Sequence, residues 1–191
     1  MMDARTLVGR LRDHYVDQFR AFADEQRHTH QTGASEVKLL LSERSILFRR
    51  LYCVDFIANS EAPMITELIP DRVLKFDAIS GAFGRAELSI EHLQWDAVGI
   101  DHDLDAAPPD ALDAWFERWF DPEDKRHGEN ATLSLTIHSL LVERGSLSID
   151  FGTSPPDAFW EMLELLEAAG ASKIAVRTSR KESATKASGS T

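Results

Sequence analysis

A chain of 191 residues, 43% apolar and 28% charged with a net charge of −11, has the composition of one globular domain that buries about 70% of its unfolded surface. No apolar run approaches the roughly 20 residues of a membrane helix, and the polar amino terminus lacks a signal-peptide core, so no membrane partner is expected. The acidic balance argues against nucleic acid, because binding a phosphate backbone takes a basic footprint.

Asp3 to Arg27 predicts an amphipathic helix. Leu7, Val8, Leu11, Tyr15, Phe19, Phe22 and Ala23 fall on one face, with Arg5, Arg12, Asp13, Asp17 and Arg20 elsewhere. His28 to Gly33 reads as a polar loop. Residues 36–44 fit both a helical stripe and strand alternation, and are taken as a short helix or turn up to Glu43. A strand follows from about Ser45 to Ala58, because Tyr52-Cys53-Val54-Asp55-Phe56-Ile57 carries the β-branched and aromatic side chains that suit a pleated surface. Cys53 is the only cysteine. It excludes an intramolecular disulfide, reads as a small buried hydrophobe, and suits a reducing, cytoplasmic setting.

Met64 to Ile69 and Arg72 to Phe76 are expected as strands, Ser80 to Gly84 as a flexible connection, and Glu87 to Gln94 and Ala97 to Asp101 as two further strands. Leu112, Trp115, Phe116, Trp119 and Phe120 then recur at helical steps between Pro109 and Asp121-Pro122, predicting a second helix with a wide apolar face. Ala131 to Val142 and Ser146 to Phe151 are expected to pair as a hairpin through Glu143-Arg144-Gly145. Leu133, Leu135 and Ile137 would face the core, with His138 on the other side. Ser154 is read as a helix cap within a Ser-x-x-Asp box ending at Asp157, followed by the stripe Phe159, Met162, Leu163 and Leu166, a stop at Gly170, and a closing strand over Lys173 to Arg177. Residues 179–191 contain no apolar side chain larger than alanine and are expected to form a disordered basic tail.

Together these elements predict an α+β fold. Residues 1–178 would form a single domain, with a mostly antiparallel sheet, helices packed on one face and a C-terminal strand–helix–strand unit.

Two constellations could carry function. Asp96 to Glu129 holds eleven acidic and three basic residues, a local charge of −8. Asp101, Asp103, Asp105, Asp121, Glu123 and Asp124 therefore make an acidic surface for a basic protein partner, with self-association as a further expectation. Alternatively, His92, Asp101, His102, Asp103 and His138 include the imidazole and carboxylate ligands of zinc or non-haem iron hydrolases. The tight alternation around His102 works against three adjacent ligands meeting one ion. No phosphate-binding glycine loop, nucleophile elbow or other cofactor motif is present, so no cofactor is expected and the reading leans away from an enzyme. A small acidic α+β protein without a catalytic set is broadly similar to bacterial immunity and adaptor proteins, which implies a protein-binding module. The metal-dependent hydrolase remains the alternative.

Overall fold

The computed structural model describes residues 3–30, 32–59, 62–126 and 132–179. The chain is an α+β domain whose strands are divided between two sheets. A three-stranded antiparallel sheet has the order β1(Gly33–Leu40)-β2(Leu51–Ala58)-β3(Met64–Thr66). The larger, mixed sheet comprises β4(Ile79–Phe83), β5(Ala86–Ile90), β6(Val98–His102), β7(Ser139–Glu143), β8(Ser146–Asp150) and β9(Lys173–Thr178), in the order β4-β5-β9-β6-β8-β7.

Helix α1 spans Ala4–Thr29, and the Asp3 carboxylate accepts from the Thr6 N–H at 2.8 Å to cap it. Its apolar stripe buries Leu7, Leu11, Tyr15, Val16 and Phe19. Phe22, expected on the same face, lies at its margin and is half-buried. Helix α2 (Pro109–Phe120) buries Trp115, Phe116, Trp119 and Phe120. Helix α3 (Pro156–Ala168) buries Phe159, Met162, Leu163 and Leu166, as the periodicity predicts. Aromatic rings join these layers: Trp95 packs 4.8 Å from Phe151, and Phe151 lies 5.8 Å from Phe159, centroid to centroid. The strand–helix–strand unit is β8-α3-β9. Strand β6 lies between its two strands and pairs antiparallel with both, so β8 and β9 run parallel.

Several local expectations are corrected. Residues 33–40 form strand β1, because pairing with the apolar β2 outweighs the helical spacing of Val37, Leu40 and Leu41. Ser80 to Gly84 is mostly strand β4, since pairing of Ile79 with Ile90 through Phe83 with Ala86 overrides the weak preference of Ser-Gly-Ala. Of the two strands expected over 64–76, only Met64–Thr66 pairs, and residues 67–78 run without regular structure. The first hairpin strand begins at Ser139. Ahead of it, Leu135 adopts φ +53° and is 39% exposed, while His138 is fully buried. Ser154 is buried, and its hydroxyl donates to the Phe151 carbonyl at 2.7 Å; Pro155 occupies the cap position of α3. Gly170, at φ +98°, follows the end of α3 as expected. The expected tail lies outside the described residues from residue 180 onward; Ser179 donates from its N–H to the Ala97 carbonyl at 2.7 Å. No helix among the described residues is long and apolar enough to cross a membrane.

Candidate functional site

The acidic stretch does not present a bare charged face. Asp101 takes two hydrogen bonds from the Arg177 guanidinium, at 2.6 and 3.0 Å. Asp103 accepts from the Ser172 and Lys173 N–H groups at 2.9 and 3.2 Å. Asp105 lies 3.5 Å from Arg144, Glu123 pairs with Lys125 at 2.7 Å, and Asp124 pairs with Lys38. Asp121 is buried, and its carboxylate caps the N–H groups of Lys125 and Arg126. The fold brings Arg177, Arg144 and Lys38 from distant sequence, so much of the local −8 is met on the protein itself.

The metal alternative is dispersed. His92 is exposed, while Asp101 and Asp103 have the partners named above. His102 is buried at the end of β6 with neither ring nitrogen hydrogen-bonded, and burial holds its pKa down. His138 belongs to a different cluster. Among the described residues no group of three or more His, Cys, Asp or Glu is placed to hold a metal ion.

His138 stands where the two sheets meet. Its N–H donates to the Asp150 carbonyl of β8, and its carbonyl accepts from the Cys53 N–H of β2, both at 2.8 Å. The ring packs against Phe19 of α1 at 5.7 Å. Its Nε2 lies 3.1 Å from Glu36 Oε1. Nδ1 lies 3.0 Å from Asp55 Oδ1, close enough for an ion pair although not aligned as a hydrogen bond. Glu36 and Asp55 occupy opposite positions of the β1–β2 ladder, in the register that pairs Ser35 with Phe56 and Val37 with Val54. Glu36 adopts φ +53°, a left-handed conformation disfavoured for a side chain of this kind. Its carboxylate also accepts from the Ser134 N–H at 2.6 Å and the Thr153 hydroxyl at 2.5 Å. Gly152, at φ +47°, closes the floor. A Cβ there would fall 2.2 Å from the His138 ring, so glycine is required twice over.

Electrostatics follow from this packing. Burial opposes ionisation of Glu36, but His138, the Thr153 hydroxyl and the Ser134 N–H outweigh it and hold the carboxyl below its ordinary value. Burial would also lower His138; Cys53 and, in direct contact with the ring, Asp55 and Glu36, with Asp150 beyond them, reverse this and raise it well above an ordinary histidine. The buried Cys53 thiol, pushed up to about 12, stays neutral. Asp150 is pushed up to about 7 by burial, with Asp55 and Asp96 adding to the effect. The arrangement is a buried imidazolium clamped between two carboxylates.

The cluster reaches the surface through Asp55. Asp55 Oδ2 accepts from the Leu68 N–H at 2.7 Å, while Glu67 accepts from the Asp55 N–H at 3.3 Å and from the Tyr52 hydroxyl at 3.1 Å. These bonds fix the start of the 67–78 segment, which lies along α1: the Arg72 carbonyl is 3.0 Å from His14 Nε2 and 3.2 Å from Gln18 Nε2. Between α1 and this segment runs an open groove of about 580 Å³ with Ala21, Phe22, Leu68 and Ile69 among its lining residues. Ile69 is 81% exposed. Asp17, Glu25 and Asp71 line the same groove against the single cation Arg72, leaving it acidic.

Sequence reasoning named His138 but missed Glu36, Asp55, Glu67, Asp150 and Thr153. The available signal was Asp55, the one charged residue within the run Tyr52 to Ile57.

No family model, curated protein or solved structure matches the chain.

Proposed function

We propose that this chain is a non-enzymatic protein-binding module that receives a basic, partly apolar segment of another protein in the groove between α1 and residues 68–72. The observation carrying this reading is the exposure of Ile69 beside Phe22 and Leu68, with Asp17, Glu25 and Asp71 around them. An isolated exposed side chain is ordinary, whereas apolar side chains gathered in a concave, acid-lined groove favour a complementary surface. Asp17 and Asp71 are only loosely paired, with Arg20 at 3.5 Å and Arg72 at 3.8 Å. Such exposed pairs contribute little and exchange readily for an incoming lysine or arginine. The overall charge of −11 adds long-range attraction for a basic partner. Asp101, Asp103, Asp105 and Asp121 through Asp124 act in that wider field, since their immediate partners lie within the chain.

The test is an NMR titration of the labelled protein with a synthetic amphipathic peptide of alternating lysine–leucine pattern. Binding should shift the amides of Ala21, Phe22, Leu68 and Ile69, weaken as salt is added, and fall away in Ile69→Ser. Shifts that spare the groove, or persist unchanged in Ile69→Ser, would contradict the assignment.

A further inference from the structure

The β2–β3 ladder ends abruptly. Phe56 pairs with Thr66, Ile57 with Ile65 and Ala58 with Met64. The next residues along the two strands are Asp55 and Glu67; were the register to continue, it would set two carboxylates opposite each other, where like charges oppose pairing. In place of ladder bonds the two residues exchange side-chain bonds to backbone. The Asp55 carboxylate takes the Leu68 N–H, and the Glu67 carboxylate takes the Asp55 N–H.

We propose that Asp55 and Glu67 form a proton-operated clasp that sets the position of the 67–72 wall of the groove. The inference rests on the groove reading for its consequence, and on the Asp55–Glu67 geometry for its mechanism. Both Asp55 oxygens are already engaged, Oδ1 by His138 Nδ1 at 3.0 Å and Oδ2 by the Leu68 N–H at 2.7 Å. In the clasp the proton resides on Glu67, whose carboxyl faces that of Asp55. Losing that proton to solvent leaves two facing anions whose repulsion works against the Asp55 N–H, Tyr52 hydroxyl and Leu68 N–H bonds that hold the wall, and the wall moves away from β2.

The groups facing this pair come from every packed element: Tyr52 and Cys53 of β2, Glu36 of β1, Tyr15 of α1, Asp96 before β6, Asp150 of β8 and His138. Apart from the imidazolium they are carboxylates or neutral acids, so the field favours keeping the proton. Desolvation on the side turned to β2, followed by Asp55 itself, pushes Glu67 up to about 7, although the residue retains an exposed flank. The groove wall would thus be closed in mildly acidic conditions and released above neutrality.

The experiment is amide exchange of the free full-length chain at about pH 6 and pH 8, corrected for the intrinsic pH dependence of exchange. Protection of Leu68 should fall about tenfold across this interval, because each pH unit above the midpoint removes the protonated form tenfold. Glu67→Gln, which keeps a neutral hydrogen-bonding group, should show equal protection at both pH values. Carbon-13 titration of the Glu67 carboxyl in the unmutated protein should give a midpoint near neutrality. A fall that persists in Glu67→Gln, no fall in the unmutated chain, or a Glu67 midpoint in the ordinary carboxylate range would each overturn the clasp. These readouts use no peptide, so a failed groove titration with intact pH-dependent protection would remove the binding reading and leave the clasp.

Discussion

The acidic stretch around α2 and the buried cluster around His138 handle negative charge in opposite ways. Along the stretch carboxylates are numerous and mostly exposed, and Asp101, Asp105, Glu123 and Asp124 are individually matched by Arg177, Arg144, Lys125 and Lys38. Around His138 they are few and enclosed, and they share one imidazolium between two sheets. Solvent screens the first set, so each pair contributes little. The second set has no water to fall back on, so each member depends on the others. Charge density along a sequence is thus a separate matter from the fold's dependence on charge, which is greatest where the carboxylates are enclosed.

The sharpest way to break that contrast is to remove the shared cation. His138→Ala leaves Glu36 and Asp55 facing each other in the interior, and should cost about 3–5 kcal/mol in urea denaturation. Gly152→Ala should cost about 1–3 kcal/mol or more by the same measurement, because the new methyl meets the His138 ring while the residue must keep a positive φ.

A pH series sharpens the contrast further. His138 is raised, so its contribution is complete below the ordinary histidine value and is lost as pH rises through the folded one. Glu67 and Asp150, both raised to about 7 from 4.5 and 3.8, hold protons in the folded chain that the unfolded chain has released. Between those values stability therefore falls as pH rises, by up to about 1.4 kcal/mol per pH unit for the enclosed Asp150 and by much less for Glu67, whose exposure lets solvent screen it. Glu36, being lowered, acts oppositely and only as pH drops through its depressed value. The urea midpoint should accordingly be highest on the acid side of neutrality and decline toward about pH 9; a steady rise over that range would contradict the assignment of protons. The smallest effect belongs to the surface. Arg177→Ala should change stability by about 0–1 kcal/mol, and most of that should disappear in high salt.

Much of the fold was legible because its helices carry long, uninterrupted apolar stripes: Leu112 to Phe120, and Phe159 to Leu166. Strands whose sequences are locally indifferent were not. Ile79–Phe83 contains Ser-Gly-Ala and becomes a strand through β5, and Gly33–Leu40 becomes one through β2. The site was less legible still. His138 was visible as a histidine near a strand, but its partners lie about a hundred residues upstream, at Glu36 and Asp55. Glu36 also sits in a backbone conformation that local preference argues against. Only the register of β1 on β2 brings these two carboxylates together, and no local pattern encodes that register.

The contrast turns on His138 being held doubly protonated between Glu36 and Asp55. Nitrogen-15 NMR of the labelled imidazole tests it most directly. The spectrum should carry the signature of an imidazolium, with both ring nitrogens protonated, persisting at neutral pH and above it, well past the point where an exposed histidine has lost its proton. A His138 ring that is singly protonated at pH 7 would contradict it.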